Sequence, residues 1–423
     1  MLTRENNEIL TRTGPGTPMG KLMRTFWTPA MVAREVPGPD EPPVKLELLG
    51  EKLVVFRDTA GRVGVIDENC PHRGASLYFG RNEEGGIRCV YHGWKFDVDG
   101  NCMEMPSEPE GSPMKSRVKA RTHPARLAGG VLWVYLGDPA TAPPLPDFEF
   151  IGIPEDHVYL SRWEQDCNYA QAMEGEFDSA HVGFLHSLVK RTAGDDQALT
   201  GKFFQADRAP IWKIVPTPGG FMACNGRRVE NGRYWRVNQF LLPFYSMIPP
   251  HPADARVVRM WVPMNDERCW VICATFRPDR PLGDKELAAW KNGENAHRRT
   301  IPGTTKPTER LDNEYGIDRA LQKSSSFTGI HGIRAQDAMV TETAGAIADR
   351  TREHLGTSDR AVIAMRRTLI DAAVTHRDEG SFHPASRSPH FYSVRANQDV
   401  LPEGQEPDTA ETLMADAWPK ETA

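Results

Sequence analysis

The chain has 423 residues, enough for two domains, and a formal net charge of −6. This charge offers no large basic surface for nucleic acid, and the longest apolar runs are far too short to span a bilayer. The charged and amide-rich first ten residues differ from a signal peptide, and seven cysteines are few for this length. We therefore expect a cytoplasmic protein with reduced thiols and with neither membrane nor nucleic-acid partners.

The N-terminal part is predicted to form an all-β domain over residues 26–140. Strands are expected at 53–57 and 63–66, on either side of a turn at 59–61, and again at 131–136. The proline-rich stretch 139–154 is predicted to be a linker. Residues 1–25 are expected to form a helical segment that packs on the second domain.

The second domain is predicted over residues 155–376. Sequence patterns predict a helix over 168–189, strands over 211–215, 234–242, 257–262 and 270–276, and helices over 284–290, 336–348 and 358–376. The polar residues 377–423 are expected to form an extended tail. The fold class is therefore α+β, with an all-β domain followed by a domain of mixed sheet and helices.

Two short motifs in the first domain supply four metal ligands. Cys70 and His72 lie in CPHRG, and Cys89 and His92 follow in CVYHGW, with sixteen residues between His72 and Cys89. Two cysteines and two histidines in this order suit a [2Fe-2S] cluster in which the cysteines bind one iron and the histidines the other. The alternative is a structural zinc site, but zinc sites of this composition usually place both cysteines in one half.

The CPHRG and YHGW strings resemble the Rieske proteins. A chain with such a cluster is expected to transfer single electrons.

A second set of ligands is predicted in EGEFDSAHVGFLH. Asp178 and His181 are three residues apart and share one side of a helix, whereas the step of five to His186 requires a distorted turn near Gly183. Two histidines and one carboxylate form the facial triad of non-haem Fe(II) oxygenases. The simpler interpretation, that these are buried histidines with ordinary hydrogen-bond partners, stays open for this motif taken alone.

Together the two motifs resemble the catalytic subunit of a Rieske non-haem iron oxygenase over nearly the whole chain. The resemblance implies a second domain of the helix-grip type, with an antiparallel sheet. It also implies that Asp337, five residues before Glu342, is the third ligand of a mononuclear Fe(II) with His181 and His186, and that dioxygen is a co-substrate. Closer carboxylates compete for this role, namely Glu174, Glu176, Asp178 and, more weakly, Asp349.

The same resemblance gives Asp178 a different role. It would contact His181 and, across a subunit boundary, His92 of a neighbouring copy, and would carry the electron between the two metal sites. A ring N–H that donates to a carboxylate is the usual support of a metal-bound histidine. A homotrimer, or a hexamer of two trimers, is therefore expected. The alternative is an ordinary surface carboxylate.

Three strings resemble the phthalate dioxygenase branch, which includes phenoxybenzoate dioxygenases and O-demethylases of methoxylated aromatic acids: LTRENNEILTRTGPGTPMGKLMRTFWTPA, FGRNEEGGIRCVYHGWKFDVDGN and IADRTREHLGTSDRAVIAMRR. The resemblance implies oxidation of a carboxylated aromatic. O-demethylation of a lignin-derived acid with formaldehyde release is favoured, and ring dihydroxylation is the alternative. An electron-transfer protein without oxygenase activity is a third reading, opposed by the extra domain.

Substrate contacts are predicted from residue type. Arginine pairs with carboxylates through two parallel hydrogen bonds, and aromatic side chains can line a pocket for a ring. The candidates are Phe184, Phe240, Phe244, Tyr245, Met247, Phe327, Arg227, Arg228, Arg233 and Arg236. No dinucleotide-binding fingerprint is present, so electrons are expected from a separate NAD(P)H-dependent flavin reductase or a ferredoxin.

Overall fold

The structure is a computed structural model that describes residues 1–189, 203–204, 207–250 and 255–418. It contains an N-terminal part with three small antiparallel sheets and a C-terminal part with one large antiparallel sheet and most of the helices.

The N-terminal part carries the first pair of metal-ligand motifs. Its strands are β1 (Trp27–Val32), β2 (Val44–Leu48), β3 (Glu51–Arg57), β4 (Val63–Asp67), β5 (Arg81–Glu83), β6 (Gly86–Arg88), β7 (Lys95–Phe96), β8 (Cys102–Glu104), β9 (Ala125–Ala128) and β10 (Val131–Tyr135). They pair in the orders β1-β10-β9, β2-β3-β4 and β5-β6-β7-β8. All five residues of β10 are buried, which explains its continuous apolar sequence.

The two loops that hold these motifs are tight turns. Gly74 N–H donates to the Cys70 carbonyl, and Gly93 N–H donates to the Cys89 carbonyl. Both glycines have positive φ, 73° and 76°, a conformation that other residues adopt only with strain. The turns therefore bring each cysteine close to the histidine that follows it.

The large sheet positions the second site. Its strands are β11 (Val158–Gln165), β12 (Ile211–Thr217), β13 (Gly220–Val229), β14 (Gly232–Leu241), β15 (Tyr245–Met247), β16 (Arg256–Pro263), β17 (Cys269–Phe276) and β18 (Asn397–Leu401). The order is β11-β17-β16-β15-β14-β13-β12, and β18 pairs with β14 beyond the end of β15. The four strands predicted in this region correspond to β12, β14, β16 and β17.

The helices are α1 (Arg4–Thr11), α2 (Pro18–Met23), α3 (Met114–Arg117), α4 (Tyr169–Glu174), α5 (Asp284–Lys291), α6 (Arg319–Ser324), α7 (Ile333–Glu342), α8 (Arg360–Glu379) and α9 (Glu411–Met414). The N-terminal helices α1 and α2 pack against α8, on the C-terminal part. Within the described ranges, no helix has both the length and the apolar content needed to cross a membrane.

The predicted helix over 168–189 is interrupted. α4 ends at Glu174, Gly175 follows it, and the only further helical turn up to residue 189 is a 3-10 turn over His181–Gly183. A regular helix would place residues five apart about 140° from each other, so His181 and His186 could not face one ion. The predicted helix over 336–348 is also displaced, since α7 begins at Ile333 and ends at Glu342.

The linker and the C-terminal segment are packed more closely than the sequence suggested. Phe148 is buried and contacts Tyr245 and Tyr392, with ring centroids 5.0 and 5.2 Å away. The predicted extended tail is wrong for its described part, because β18 joins the large sheet and Leu413 is fully buried. Aromatic and aliphatic side chains between the prolines and polar residues supply this packing.

Candidate metal centres

The first site lies between two loops of the N-terminal part. Cys70 follows β4, and Cys89 lies between β6 and β7; each is 2% exposed. The rings of His72 and His92 are 4.5 Å apart, and Trp94 stacks on His72 at 4.2 Å with an angle of 10° between the ring planes. Two thiols and two imidazoles thus converge beneath an indole that excludes water from one side.

The protonation of this site is set by its burial. Removal from water, together with the neighbouring Cys89, raises the pKa of the Cys70 thiol to about 11, although the hydrogen bond from the His72 backbone acts in the opposite direction. The pKa of His92 is lowered by desolvation and by the nearby His72 and Arg73. Buried His92 Nδ1 has no hydrogen-bond partner among the described residues. The lowered pKa and the unpaired ring nitrogen of His92 fit a metal ligand.

The second site joins the 3-10 turn to α7. Ligand atoms of His181, His186 and Asp337 lie within 4.8 Å of one another. Asp337 Oδ1 is 3.1 Å from His186 Nε2 and 3.6 Å from His181 Nε2. Buried His186 Nε2 lacks a hydrogen-bond partner in the described structure. The three groups therefore fit a single divalent ion held by two imidazoles and one carboxylate.

Each histidine of the second site is held through its other ring nitrogen. Asp178 Oδ2 lies 3.4 Å from His181 Nδ1, and Gln336 Oε1 lies 2.7 Å from His186 Nδ1. Gln336 in turn donates from Nε2 to the Ile330 carbonyl, which fixes the orientation of its amide. Both rings can thus carry their proton on Nδ1 and present a bare Nε2 to a metal. The sequence motif did not reveal Gln336.

Charge within the second site favours an ionised carboxylate. Burial alone would raise the pKa of Asp337, but Arg334 and the two histidines outweigh it and lower the pKa well below the usual value. Burial also opposes ionisation of Asp178, and the hydrogen bond with His181 lowers that pKa. Each acid is therefore an anion at neutral pH, as a metal ligand and its supporting acceptor require.

Two of the carboxylates that competed with Asp337 are paired with arginines. Glu174 pairs with Arg350 and Arg366, each at 2.9 Å. Glu176 pairs with Arg259 and Arg334 and is 2% exposed. Asp349 accepts hydrogen bonds from Thr351 and lies at the surface.

Another group of possible ligands, formed by Glu51, Asp67 and His123, lies in the N-terminal part. Glu51 is paired with Arg24 at 2.7 Å and with Arg121 at 2.8 Å. Because two guanidinium groups already neutralise the negative charge of these side chains, we do not assign a metal ion to them.

A cavity of about 470 Å³ lies beside the second site. Ile333 and Arg334 of α7 line it, and Arg334 Nη2 is 3.0 Å from Asp337 Oδ2. The opposite wall comes from the large sheet, through Arg259 of β16 and Thr275 of β17, and Trp290 of α5 supplies an aromatic side chain. A volume of this size accommodates a small organic molecule, and Arg334 connects the cavity to Asp337 of the candidate metal centre.

The predicted arginines occupy different environments. Arg236 lines the cavity. Arg227 is 1% exposed and donates to Ser179 and Asn225, so it supports the fold. Arg233 pairs with Glu403 at 3.3 Å, and Arg228 is exposed.

The predicted aromatic contacts do not line this cavity. Phe240 packs against Phe177 and Phe221 in the core, with ring centroids 5.6 and 5.0 Å away. Phe244, Tyr245 and Met247 are also buried core residues. Phe184 and Phe327 are 45% and 50% exposed. Trp290, which sequence reasoning missed, is the aromatic residue of this wall; no motif marked it.

Comparison with known proteins agrees with this geometry. Residues 26–123 match the model of the Rieske [2Fe-2S] domain, and residues 134–417 match the model described as LigXa C-terminal domain like. The phthalate 4,5-dioxygenase oxygenase subunit of Pseudomonas putida is 40% identical over 88% of this chain and 86% of its own length. The chain belongs to the Rieske non-haem iron oxygenases. It is the oxygenase component of such a system.

Other Rieske oxygenases share its length and fold. The 3-chlorobenzoate-3,4-dioxygenase oxygenase subunit of Comamonas testosteroni is 37% identical over 97% of this chain and 98% of its own. The structure of NdmA from Pseudomonas putida CBB5 superposes with a TM-score of 0.59 at 16% identity, covering 92% of this chain and 100% of that one. The similarity confirms the predicted α+β architecture.

Rieske oxygenases of this kind use a [2Fe-2S] cluster, a mononuclear iron and O2, and these are the cofactors and co-substrate of this chain. Their oxygenase components form oligomers and receive electrons from a reductase or ferredoxin.

Proposed function

We propose that this oxygenase oxidises an aromatic carboxylate bound in the cavity beside Asp337. The observation that carries the proposal is the charge of that cavity. Its lining residues include one acidic side chain, Glu286. They also include five cationic side chains, namely Arg236, Arg259, Arg277, Lys285 and Arg334. A concave site lined by one sign of charge concentrates ligands of the opposite sign.

Arg236 is the proposed partner of the substrate carboxylate. Its Nη2 donates to the Pro249 carbonyl, and its buried Nε lacks a hydrogen-bond partner in the described part of the chain. Arg259 and Arg334 are engaged with Glu176, and Arg277 with Glu286. Arg236 is therefore the lining arginine least committed to a carboxylate of the protein, and a substrate anion would complete its contacts.

The similar proteins act on both charged and uncharged substrates, and the charge of the cavity favours the charged ones. A tert-butanol monooxygenase / tert-amyl alcohol desaturase subunit from Aquincola tertiaricarbonis is 36% identical over 87% of this chain, and its named substrates are uncharged alcohols. A small neutral alcohol would leave Arg236 without a charged partner. An aromatic acid would pair with Arg236 and rest its ring near Trp290.

The metals are assigned to the two groups of converging side chains. Cys70, His72, Cys89 and His92 would hold the cluster, and His181, His186 and Asp337 would hold the iron. When bound, the cluster supplies single electrons and the iron supplies oxygen activation. The chain's own part is to fix the ring nitrogens through Asp178 and Gln336, to hold the aromatic acid at Arg236, and to restrict the substrate's position so that one pair of adjacent ring carbons, or one methoxy carbon, is exposed to attack.

Ring dihydroxylation is the favoured outcome. The relatives named for dioxygenation of phthalate and chlorobenzoate are 40% and 37% identical. The 5,5'-dehydrodivanillate O-demethylase oxygenase subunit of a Sphingobium strain is 29% identical over 88% of this chain. The O-demethylation favoured by the sequence strings therefore becomes the second outcome of the same experiment.

The test measures oxygen uptake by the holoenzyme with a donor reductase, using phthalate, 3-chlorobenzoate and 3-methoxybenzoate, each beside its methyl ester. We expect uptake with the acids, little with the esters, and a cis-dihydrodiol as product. Formaldehyde from 3-methoxybenzoate would instead show O-demethylation. Equal oxidation of acids and esters would refute the proposed substrate class.

Two single-residue variants in strand β14 complete the experiment. Arg236→Met should raise KM for the acids by about 10- to 100-fold, as expected for a lost charge-assisted hydrogen bond. Arg233→Met is the matched control, since Arg233 also belongs to β14 but pairs with Glu403. An unchanged KM in Arg236→Met would remove Arg236 from substrate binding.

A further inference from the structure

Asp337 presents its two oxygens to different neighbours. Oδ1 faces the two histidines, 3.1 Å from His186 Nε2 and 3.6 Å from His181 Nε2. Oδ2 lies 3.0 Å from Arg334 Nη2 and forms an ion pair with it, without the geometry of a hydrogen bond. The carboxylate is therefore divided between a metal-facing oxygen and an arginine-facing oxygen.

Arg334 is itself held in place. Its Nη1 donates to Glu176 Oε1 at 2.8 Å, so the two ends of the guanidinium fork contact two different carboxylates. Glu176 is held from its other side by Arg259, and Ser246 donates to Glu176 Oε2 at 3.3 Å. Because Arg259 and Glu176 are 2% exposed at their side chains, this arrangement is anchored in the core of the large sheet.

We infer that Arg334 is a positioning residue that keeps Asp337 bound to the iron through Oδ1 alone. This inference rests on the assignment of Asp337 as an iron ligand. A carboxylate can bind a metal through one oxygen or both, and a guanidinium on the second oxygen competes with the metal for it. Binding through one oxygen leaves a coordination position open beside a cavity that Arg334 also lines.

The local charges support this division. Arg259, Glu176, Arg334 and Asp337 form an alternating row of two cations and two anions. The row is neutral without a metal, so the contact between Arg334 and Asp337 does not depend on the ion. Arg334 lies one turn before Asp337 on α7, which fixes their separation through the helix itself.

The test replaces the iron with Co(II), whose visible absorption weakens when the coordination number rises from five to six. We expect Arg334→Met to bind Co(II) stoichiometrically and to lose about half of the absorption intensity or more, as Oδ2 joins the metal. Arg334→Lys should keep most of the wild-type intensity, because an ammonium group can still engage Oδ2.

Arg259→Met is the matched control. It removes a cation from the same buried row and from the same partner, Glu176, but Arg259 does not lie on Asp337 in the described contacts. Its Co(II) spectrum should match the wild type. An Arg334→Met spectrum equal to the wild type at full occupancy would overturn the inference, as would equal changes in both variants.

A measurement on the unaltered protein covers the case in which these variants do not fold. The metal-loaded wild type should show one Asp337 oxygen at ligand distance in a crystal structure or by X-ray absorption. Two oxygens at ligand distance would refute the role of Arg334. Neither result depends on which aromatic acid is oxidised, so failure of the proposed substrate class would be seen separately.

Discussion

Gln336 supports His186 by a contact that its sequence position does not suggest. It lies one residue before Asp337, and its Oε1 accepts from His186 Nδ1 at 2.7 Å. Gln336→Met retains the size of the side chain and removes the acceptor. We expect iron affinity to fall by about 10- to 100-fold, the usual effect of losing a hydrogen bond to a metal-bound histidine.

Competition with increasing concentrations of an Fe(II) chelator measures this change in iron affinity. Gln322→Met serves as control, since Gln322 contacts Arg319 at the surface. Unaltered iron affinity in Gln336→Met would show that the tautomer of His186 is fixed by other means.

Asp178 tests the proposed path of the electron. Asp178→Asn keeps an acceptor near His181 Nδ1, so both metals should stay bound. The charge that stabilises a transiently cationic histidine is lost, so turnover should fall by at least about 100-fold. Rapid-mixing spectroscopy should show a reduced cluster that persists when substrate and O2 are added. Normal reoxidation of the cluster would contradict the bridging role.

At this scale the sequence was most informative where residues are close together along the chain. Cys70 with His72, and Asp178 with His181, form motifs whose spacing matches their chemistry. Asp337 lies more than 150 residues after His186 in the chain, and only the family resemblance indicated that it is a metal ligand. Arg334 and Glu176 meet through the packing of α7 on the sheet, and no sequence spacing encodes that contact.

The short helix α4 is fixed by charge at its C-terminal end. Glu174, its last residue, pairs with Arg350 and with Arg366 of α8, whose side chains are 0% and 3% exposed. Glu174→Gln leaves two buried guanidinium groups short of a counter-charge. We expect a loss of about 3–5 kcal/mol in the free energy of unfolding, measured by urea denaturation.

The control for this prediction is an exposed pair on α8. Arg367 and Asp371 are 3.4 Å apart with 82% and 65% of their side chains exposed. Asp371→Asn should change stability by less than about 1 kcal/mol. If Glu174→Gln and Asp371→Asn lost similar amounts of unfolding free energy, burial would not explain the strength of the Glu174 contacts.

The same carboxylate predicts a pH dependence. Burial raises the pKa of Glu174, but Arg350 and Arg366 outweigh it and lower the folded-state pKa below the unfolded value of about 4.3. The stabilisation is thus complete above about pH 4.3 and is lost as pH falls through the folded-state pKa. Below that pH, urea midpoints of the wild type should fall toward those of Glu174→Gln. If the urea midpoints of the wild type and of Glu174→Gln stayed equally far apart as pH falls, the proposed role of Glu174 in the pH dependence would be refuted.

Elements of the large sheet followed from the sequence because alternating or continuous apolar runs mark strands. The helix over 168–189 did not: its helix-forming residues and the step of five to His186 predict one helix with a distorted turn near Gly183, whereas α4 already ends at Glu174. The requirement that His181 and His186 converge on one carboxylate overrides that propensity. The C-terminal strand β18 was missed because its polar residues pair through their backbone rather than through an apolar pattern.

For the whole molecule, the surface beside the cluster indicates contact with another protein surface. Two apolar side chains that come just before His92 in the chain are largely exposed, Val90 at 59% and Tyr91 at 53%. Tyr91 lies 3.9 Å from His92, measured between ring centroids. Exposed apolar groups that cluster at a functional site mark an interaction surface. The proposed trimer would place a neighbouring Asp178 here.

Mixed oligomers test whether electrons cross between subunits. Cys89→Ser should lack the cluster, Asp337→Ala should lack the iron, and each alone should be inactive. Co-expressed with two different tags and purified through both, mixed trimers should regain activity at about one site in three, because one neighbouring pair joins an intact cluster to an intact iron site. Electron transfer within one chain predicts no recovery.

Strand β18 also determines how the protein tolerates shortening. Its backbone covers the side of β14 between Arg233 and Val237. A chain cut before Asn397 would present those amides and carbonyls as a bare sheet edge, which readily recruits strands from other molecules. Such a truncation should yield inclusion bodies instead of a smaller working enzyme.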